Sequence, residues 1–391
     1  MKKSLLFNKD EVNTQRQAFL DLAKAIIIIV MIVDHTFMYG GAEMNEGLIR
    51  AFDYILAGPL GAPVFMTCMG IGMAYSRRSD AASMARRGLR LLIVSYILNL
   101  VRGFAPLLGW VITGDRGMLV LFSYALTLVD ILQLAGLSFL LMALLRRMKL
   151  SAGWILCLSL VMSLAGSLVA DGSGWLVERT HTGIVAVDAI IALFVGTITP
   201  AVGSESGIIP LYVFSCFPLL NWFVFVAFGY WGGKLIRRCG DLDRLFAWTT
   251  PVSALMFITL SIIAWSGDTF MKIYTIEEGF YYMNIVDMFL ITMPGIVMVF
   301  GVCHYICRRF AGITATGEGG KRWFELVRRT SMDLNRIYLT QWIIIIYAIA
   351  APINLIFEKS MSIVQLLMSA MVIIVLSIWL ARKRPMSLIK L

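Results

Sequence analysis

The sequence predicts an all-α, polytopic membrane bundle of about ten spanning helices with both termini cytoplasmic. Three observations carry that expectation. Of the 391 residues, 59% are hydrophobic and only 15% charged, whereas soluble domains average roughly 45–50% and about 25%. Apolar runs of about 20 residues, the length that crosses a bilayer, recur along the whole chain. The 34 Lys and Arg residues gather mainly in clusters between those runs. A net charge of +10 could suggest nucleic acid, but basic clusters alternating with membrane runs mark the cytoplasmic face instead. Disorder is excluded by 23 Phe, 23 Met and 10 Trp, far more apolar surface than a solvated coil carries.

The runs lie at 18–39, 53–75, 91–109, 118–145, 152–170, 183–199, 211–233, 246–266, 281–306, 333–353 and 361–381. The basic clusters are Lys2–Arg16, Arg77–Arg90, Arg146–Lys149, Lys234–Arg244, Arg308–Arg336 and Arg382–Lys390. Parity then limits the topology. Arg146–Lys149 and Lys234–Arg238 both belong inside, yet three runs separate them, so one run does not cross. The weakest is 183–199, with Asp188, Thr197 and Thr199 before Pro200. Residues 171–210 are therefore expected to form an outer-side re-entrant or interfacial segment. Residues 1–391 read as a single transmembrane domain without a soluble module or internal repeat. The first run reads as a retained helix rather than a cleaved signal. The six cysteines lack zinc-ligand spacing and lie mostly in apolar runs, so neither a disulfide framework nor a metal site is expected.

Ionisable groups at membrane depth are functional candidates, and the first run holds Asp21, Lys24, Asp34 and His35. Eleven helical steps separate Lys24 from His35, ending about 20° past three full turns, so both face one side some 16 Å apart. Asp21, three residues before Lys24, is placed to pair with it. Asp34 points about 100° away from His35; Asp130, Asn99 and Tyr96 are alternative partners for the imidazole. Asp130 with Gln133, and Asn99 with Arg102, lie three apart on shared faces and could line a polar pocket. Tyr281, Tyr282 and the acidic groups of 267–282 could meet a polar ligand on the outer side, although surface solvation explains them as well.

The stretch AFLDLAKAIIIIVMIVDHT resembles the first helix of the acyltransferase type 3 family, whose hallmark is a basic residue, ten residues and a histidine. Lys24 stands where that family usually has Arg. GAPVFMTCMGIGMAYSRR (61–78) is similar to the second helix of the related heparan-α-glucosaminide N-acetyltransferase-like group. Arg87 and Arg90 fit an Arg-x-x-Arg at the start of the third helix, and 129–138, 217–222 and 329–342 resemble weaker landmarks. Gln341 stands near a place where relatives often carry His.

This resemblance implies a ten-helix acyltransferase in a cell membrane, using acyl-CoA, commonly acetyl-CoA, as donor. His35 would be the general base, assisted by Lys24 and Asp34. Arg86, Arg87, Arg90 and Lys24 would hold the donor, and Asp130, Gln133, Asn99 and Arg102 the acceptor. That acceptor is expected to be a sugar or glycoconjugate on the outer side. Neutral imidazole suits proton removal near pH 7, and cytoplasmic arginines suit the donor's phosphates. Ordinary positive-inside topology explains the same arginines without a ligand. Partners expected are the bilayer, acyl-CoA and a saccharide; a homodimer is left open, and neither nucleic acid nor metal is expected. Two rivals remain: a proton-coupled transporter relaying through Lys24, Asp130 and His35, and a catalytically silent scaffold.

Overall fold

Helix α1 (Ala18–Tyr39) is the hub of the bundle. Its apolar residues occur almost all round, as a helix enclosed by other helices requires, and Ala23, Ile28 and Ile32 are wholly buried. The computed structural model describes residues 6–41, 47–171, 185–196, 198–202, 211–213, 215–266, 285–314, 318–353 and 360–383. Around the hub follow α2 (Gly47–Phe52), a π-wound segment (Asp53–Gly61) containing Pro59, and α3 (Ala62–Tyr75). Next come α4 (Ala81–Thr113), α5 (Arg116–Thr127), α6 (Ile131–Arg147) and α7 (Ala152–Asp171). After α8 (Val185–Phe194), strands β1 (Ile198–Val202) and β2 (Leu211–Val213) pair antiparallel, Ile198 opposite Val213 and Val202 opposite Leu211. The rest is α9 (Leu219–Arg238), α10 (Leu242–Ser266), α11 (Ile285–Thr314), α12 (Glu318–Met332), α13 (Leu334–Ile345) with a π-wound tail (Ile346–Ala350), and α14 (Ile363–Arg382).

Helix α1 packs on α3, the Asp53–Gly61 segment, α11, α12, α13 and α14. A second layer pairs α3 with α9, α9 with α7, α4 with α5 and α6, and α10 with α11. The seam between α3 and α9 depends on glycine from both sides. A β-carbon at Gly229 would collide with the Thr67 carbonyl, and one at Gly70 with that of Val226. Close backbone approach of this kind drives helix association where lipid supplies no hydrophobic force.

Among the described residues six helices are long and apolar enough to cross a membrane: Ile55–Tyr75, Ala81–Thr113, Leu219–Arg238, Leu242–Ile263, Leu290–Ala311 and Ile363–Arg382. Helix α1 has the length as well, 22 residues, or about 33 Å.

Three sequence expectations change. The run 118–145 is not one helix: it breaks between α5 and α6 at Leu128–Asp130. The run 211–233 begins as β2 before α9. A further helix, α12, covers the basic stretch 318–332 between two apolar runs. Within 171–210 the ten-residue α8 is about 15 Å long, half a bilayer core. Residues 172–184, 197 and 203–210, with Arg179, His181 and the segment 267–282, lie outside the described residues.

Candidate active site

The break before α6 is stitched by side chains. The Asp130 carboxylate accepts from the Ile131 N–H (2.6 Å) while Gln133 Oε1 accepts from the Asp130 N–H (3.1 Å), a capping box that satisfies donors a membrane helix start would otherwise strand. Gln133 Nε2 donates to the Leu128 carbonyl (3.1 Å), and Asn99 Nδ2 to those of Leu126 (3.2 Å) and Leu128 (2.8 Å). Asp130 and Gln133 therefore hold an unwound turn as a cap, not a regular helix face. Asn99 reaches the same turn from α4.

One helical turn beyond Asn99, Arg102 forms an ion pair with Asp130 (2.5 Å), both nearly inaccessible to solvent. Tyr338 of α13 donates to the same carboxylate oxygen (2.6 Å). The Arg102 guanidinium lies 3.9 Å over the Trp342 ring, and the His35 imidazole packs against that ring with centroids 4.3 Å apart. Gln341 Nε2 lies 3.2 Å from His35 Nδ1. Tyr338, Gln341 and Trp342 share a face of α13 through their three- and four-residue spacing. The partner of His35 is thus Gln341, which the sequence reading left out of the site; Asp130, Asn99 and Tyr96 do not bond to the ring. Buried Arg102 Nε and Nη1, Asn99 Oδ1 and Gln341 Oε1 have no hydrogen-bond partner. The cluster thus retains donors and acceptors for a polar guest.

At the basic end a cavity of about 780 Å³ opens between α1, α3, α4, α6 and α13. Lys24, Arg87 and Arg77 line it, with Thr14–Gln17 at its mouth. The predicted Asp21–Lys24 pair is not formed. Arg16 grips Asp21 with both ends of its fork (2.6 and 2.7 Å), and Ser331 donates to the same carboxylate (2.6 Å). Lys24 is left without an ion-pair partner among the described residues. Arg87 lies over the Phe139 ring at 4.8 Å. Arg86 and Arg90 are exposed and do not line the cavity; Arg86 turns back to the Ala82 carbonyl and Ser83 hydroxyl. Asp34 faces another way, close enough to Asp53 for the two carboxyls to interact.

The cavity reaches Lys24 on α1 but not His35. On the face joining them, Ile28 and Met31 are buried at the four- and seven-residue positions. Leu132 and Leu334 line the deep cavity wall, within one helical turn of Asp130 and Tyr338.

Residues 16–278 match the family model of the heparan-alpha-glucosaminide N-acetyltransferase catalytic domain. The chain belongs to that family. Comparisons with curated proteins and with solved structures return no match. The matched part of this acetyltransferase holds Lys24, His35, Arg87, Arg102 and Asp130, whereas Tyr338, Gln341 and Trp342 come from beyond it.

Proposed function

We propose that the protein moves an acetyl group from cytosolic acetyl-CoA to a hydroxyl or amine of an extracytoplasmic sugar. The bundle would hold about ten spanning helices in a plasma membrane, with both termini inside, as the alternation of basic clusters and apolar runs implies. One juxtaposition carries the reading. A basic-end cavity holding Lys24 and Arg87 stops short of the His35 cluster, which lies on the same face of α1 behind buried Ile28 and Met31.

The donor fits the chemistry of that cavity. Its volume is in the range of small-molecule sites, roughly 300–1,000 Å³, and Arg87 with Arg77 presents cations to phosphates. Lys24, farther in, would orient the acyl-carrying arm. For the acyl carbon to reach His35, that arm must displace Met31, whose unbranched thioether chain repacks readily. His35 then takes the acceptor's proton as the new bond to the acyl carbon forms, and returns it to the departing thiolate. Arg102, with two unpaired guanidinium nitrogens, and Asn99 would hold acceptor hydroxyls.

Labelled acetyl-CoA supplied to the cytoplasmic face of membrane vesicles, with a terminal glucosaminide as probe acceptor, tests the assignment. Label should pass to the sugar with the wild-type protein and not with His35→Ala. Equal transfer by the two would overturn it.

A further inference from the structure

The Gln341 amide is fully buried and touches the imidazole nitrogen that faces away from any reacting atom held at Nε2. With its Nε2 toward His35 Nδ1 at 3.2 Å, the amide donates, which puts the ring proton on the other imidazole nitrogen. It also leaves Gln341 Oε1 buried and unpaired. A half-turn about the last side-chain bond exchanges the amide's two ends within the same space.

Acyl transfer decides between the two orientations. In one step the acceptor's O–H or N–H bond breaks as its heteroatom bonds to the acyl carbon, and the proton goes to His35 Nε2. In the other the C–S bond breaks, and that proton passes to the leaving sulfur. Between them the ring is an imidazolium with N–H on both nitrogens. An amide NH₂ facing Nδ1 would then set donor against donor, whereas Oε1 facing Nδ1 accepts.

We infer that Gln341 is the positioning residue of this site: its side-chain oxygen accepts the Nδ1 proton of His35 and keeps Nε2 free to act as base. The inference rests on the reading of His35 as that base. The surroundings support an uncharged orienting group. Trp342 covers one face of the ring, and Arg102 lies against Trp342 with its charge balanced by Asp130. Tyr338 meets the ring edge-on at 6.3 Å. A neutral amide oxygen fixes the tautomer without adding a net charge to this closed cluster.

The chain has three histidines, so the full-length protein labelled with ¹⁵N-histidine in lipid nanodiscs gives few ring signals, and His35→Asn identifies that of His35. The wild type should show a protonated Nδ1 and a bare Nε2, and Gln341→Leu should move the proton toward Nε2. In the transfer assay Gln341→Leu should lower kcat about 10- to 100-fold with the KM for acetyl-CoA unchanged. Gln341→Glu, which again offers an acceptor, should restore most of that loss. A carboxylate there also favours imidazolium, so the acid limb of the pH–rate profile should move to higher pH. A wild-type His35 protonated at Nε2 overturns the inference, as does a tautomer unchanged in Gln341→Leu. The wild-type spectrum decides the question if the leucine variant does not fold. The expected tautomer together with an active His35→Ala would defeat the base assignment alone.

Discussion

At the basic end Lys24 and Arg87 border open space and meet no acidic partner among the described residues, whereas in the cluster around His35 the buried cation and the buried carboxylate answer each other. Arg102 is held by Asp130, and Asp130 by Tyr338 and the first N–H of α6. The difference follows from dielectric. A closed cluster cannot keep a lone ion, since desolvation costs several kcal/mol per charge. A cavity open to water can, and an unpaired cation there is free to bind an anion. One end of α1 therefore presents unpaired cations to water and the other holds a few groups still.

That contrast can be broken at either end. The largest effect belongs to His35→Ala, which should cut acetyl transfer by about 10²–10⁴-fold while acetyl-CoA binding, measured by equilibrium dialysis, persists. Next is Asp130→Ala, which strands a buried guanidinium and should destabilise the protein by about 3–5 kcal/mol, seen as a lower melting temperature in detergent. Replacing Arg102 and Asp130 together by Met and Leu should recover most of that loss. Met31→Phe should leave donor binding in place and lower transfer by about 100-fold, because the wedge between the two regions can no longer yield and the reacting groups stay apart. Lys24→Leu and Arg87→Leu should each raise the KM for acetyl-CoA about tenfold, the worth of one charge-assisted hydrogen bond, with kcat nearly constant. The smallest effect is Glu325→Gln on α12. Hydrogen bonds from Arg328 and Arg329 hold that exposed carboxylate down at about 2. Its contribution is present above the ordinary glutamate range and is lost only as pH falls toward 2. Melting between pH 5 and pH 8 should therefore not change.

Much of the first region was legible from spacing. Eleven residues on one helix fix the relative bearing of Lys24 and His35 whatever surrounds them, and Arg87 followed from its motif. The Asp21–Lys24 pairing failed because proximity along a helix says nothing of competitors. Arg16, five residues upstream, offers a planar fork that an ammonium cannot match. The break at Leu128–Asp130 had a local signal, Asp130 followed three residues later by Gln133, the pattern of a capped helix start. It was masked by uninterrupted apolarity. Gln341 and Trp342 stood out only through the family resemblance, and nothing in their spacing joined them to His35. They reach His35 from more than 300 positions away, and only the packing of α13 on α1 joins them.

The unwound turn before α6 also bears on how the chain is made. Helix α4 leaves the ribosome with Asn99 and Arg102 well before Asp130 is synthesised. Until then the guanidinium faces hydrocarbon alone, a penalty of about 2.5–3.5 kcal/mol at a helix centre. The Arg102–Asp130 pair thus ties α4 to α6 across α5, so the arginine's charge is balanced only once all three helices have been made. A nascent chain halted inside that hairpin would carry a lone arginine in lipid, the kind of defect by which quality-control proteases sort membrane proteins.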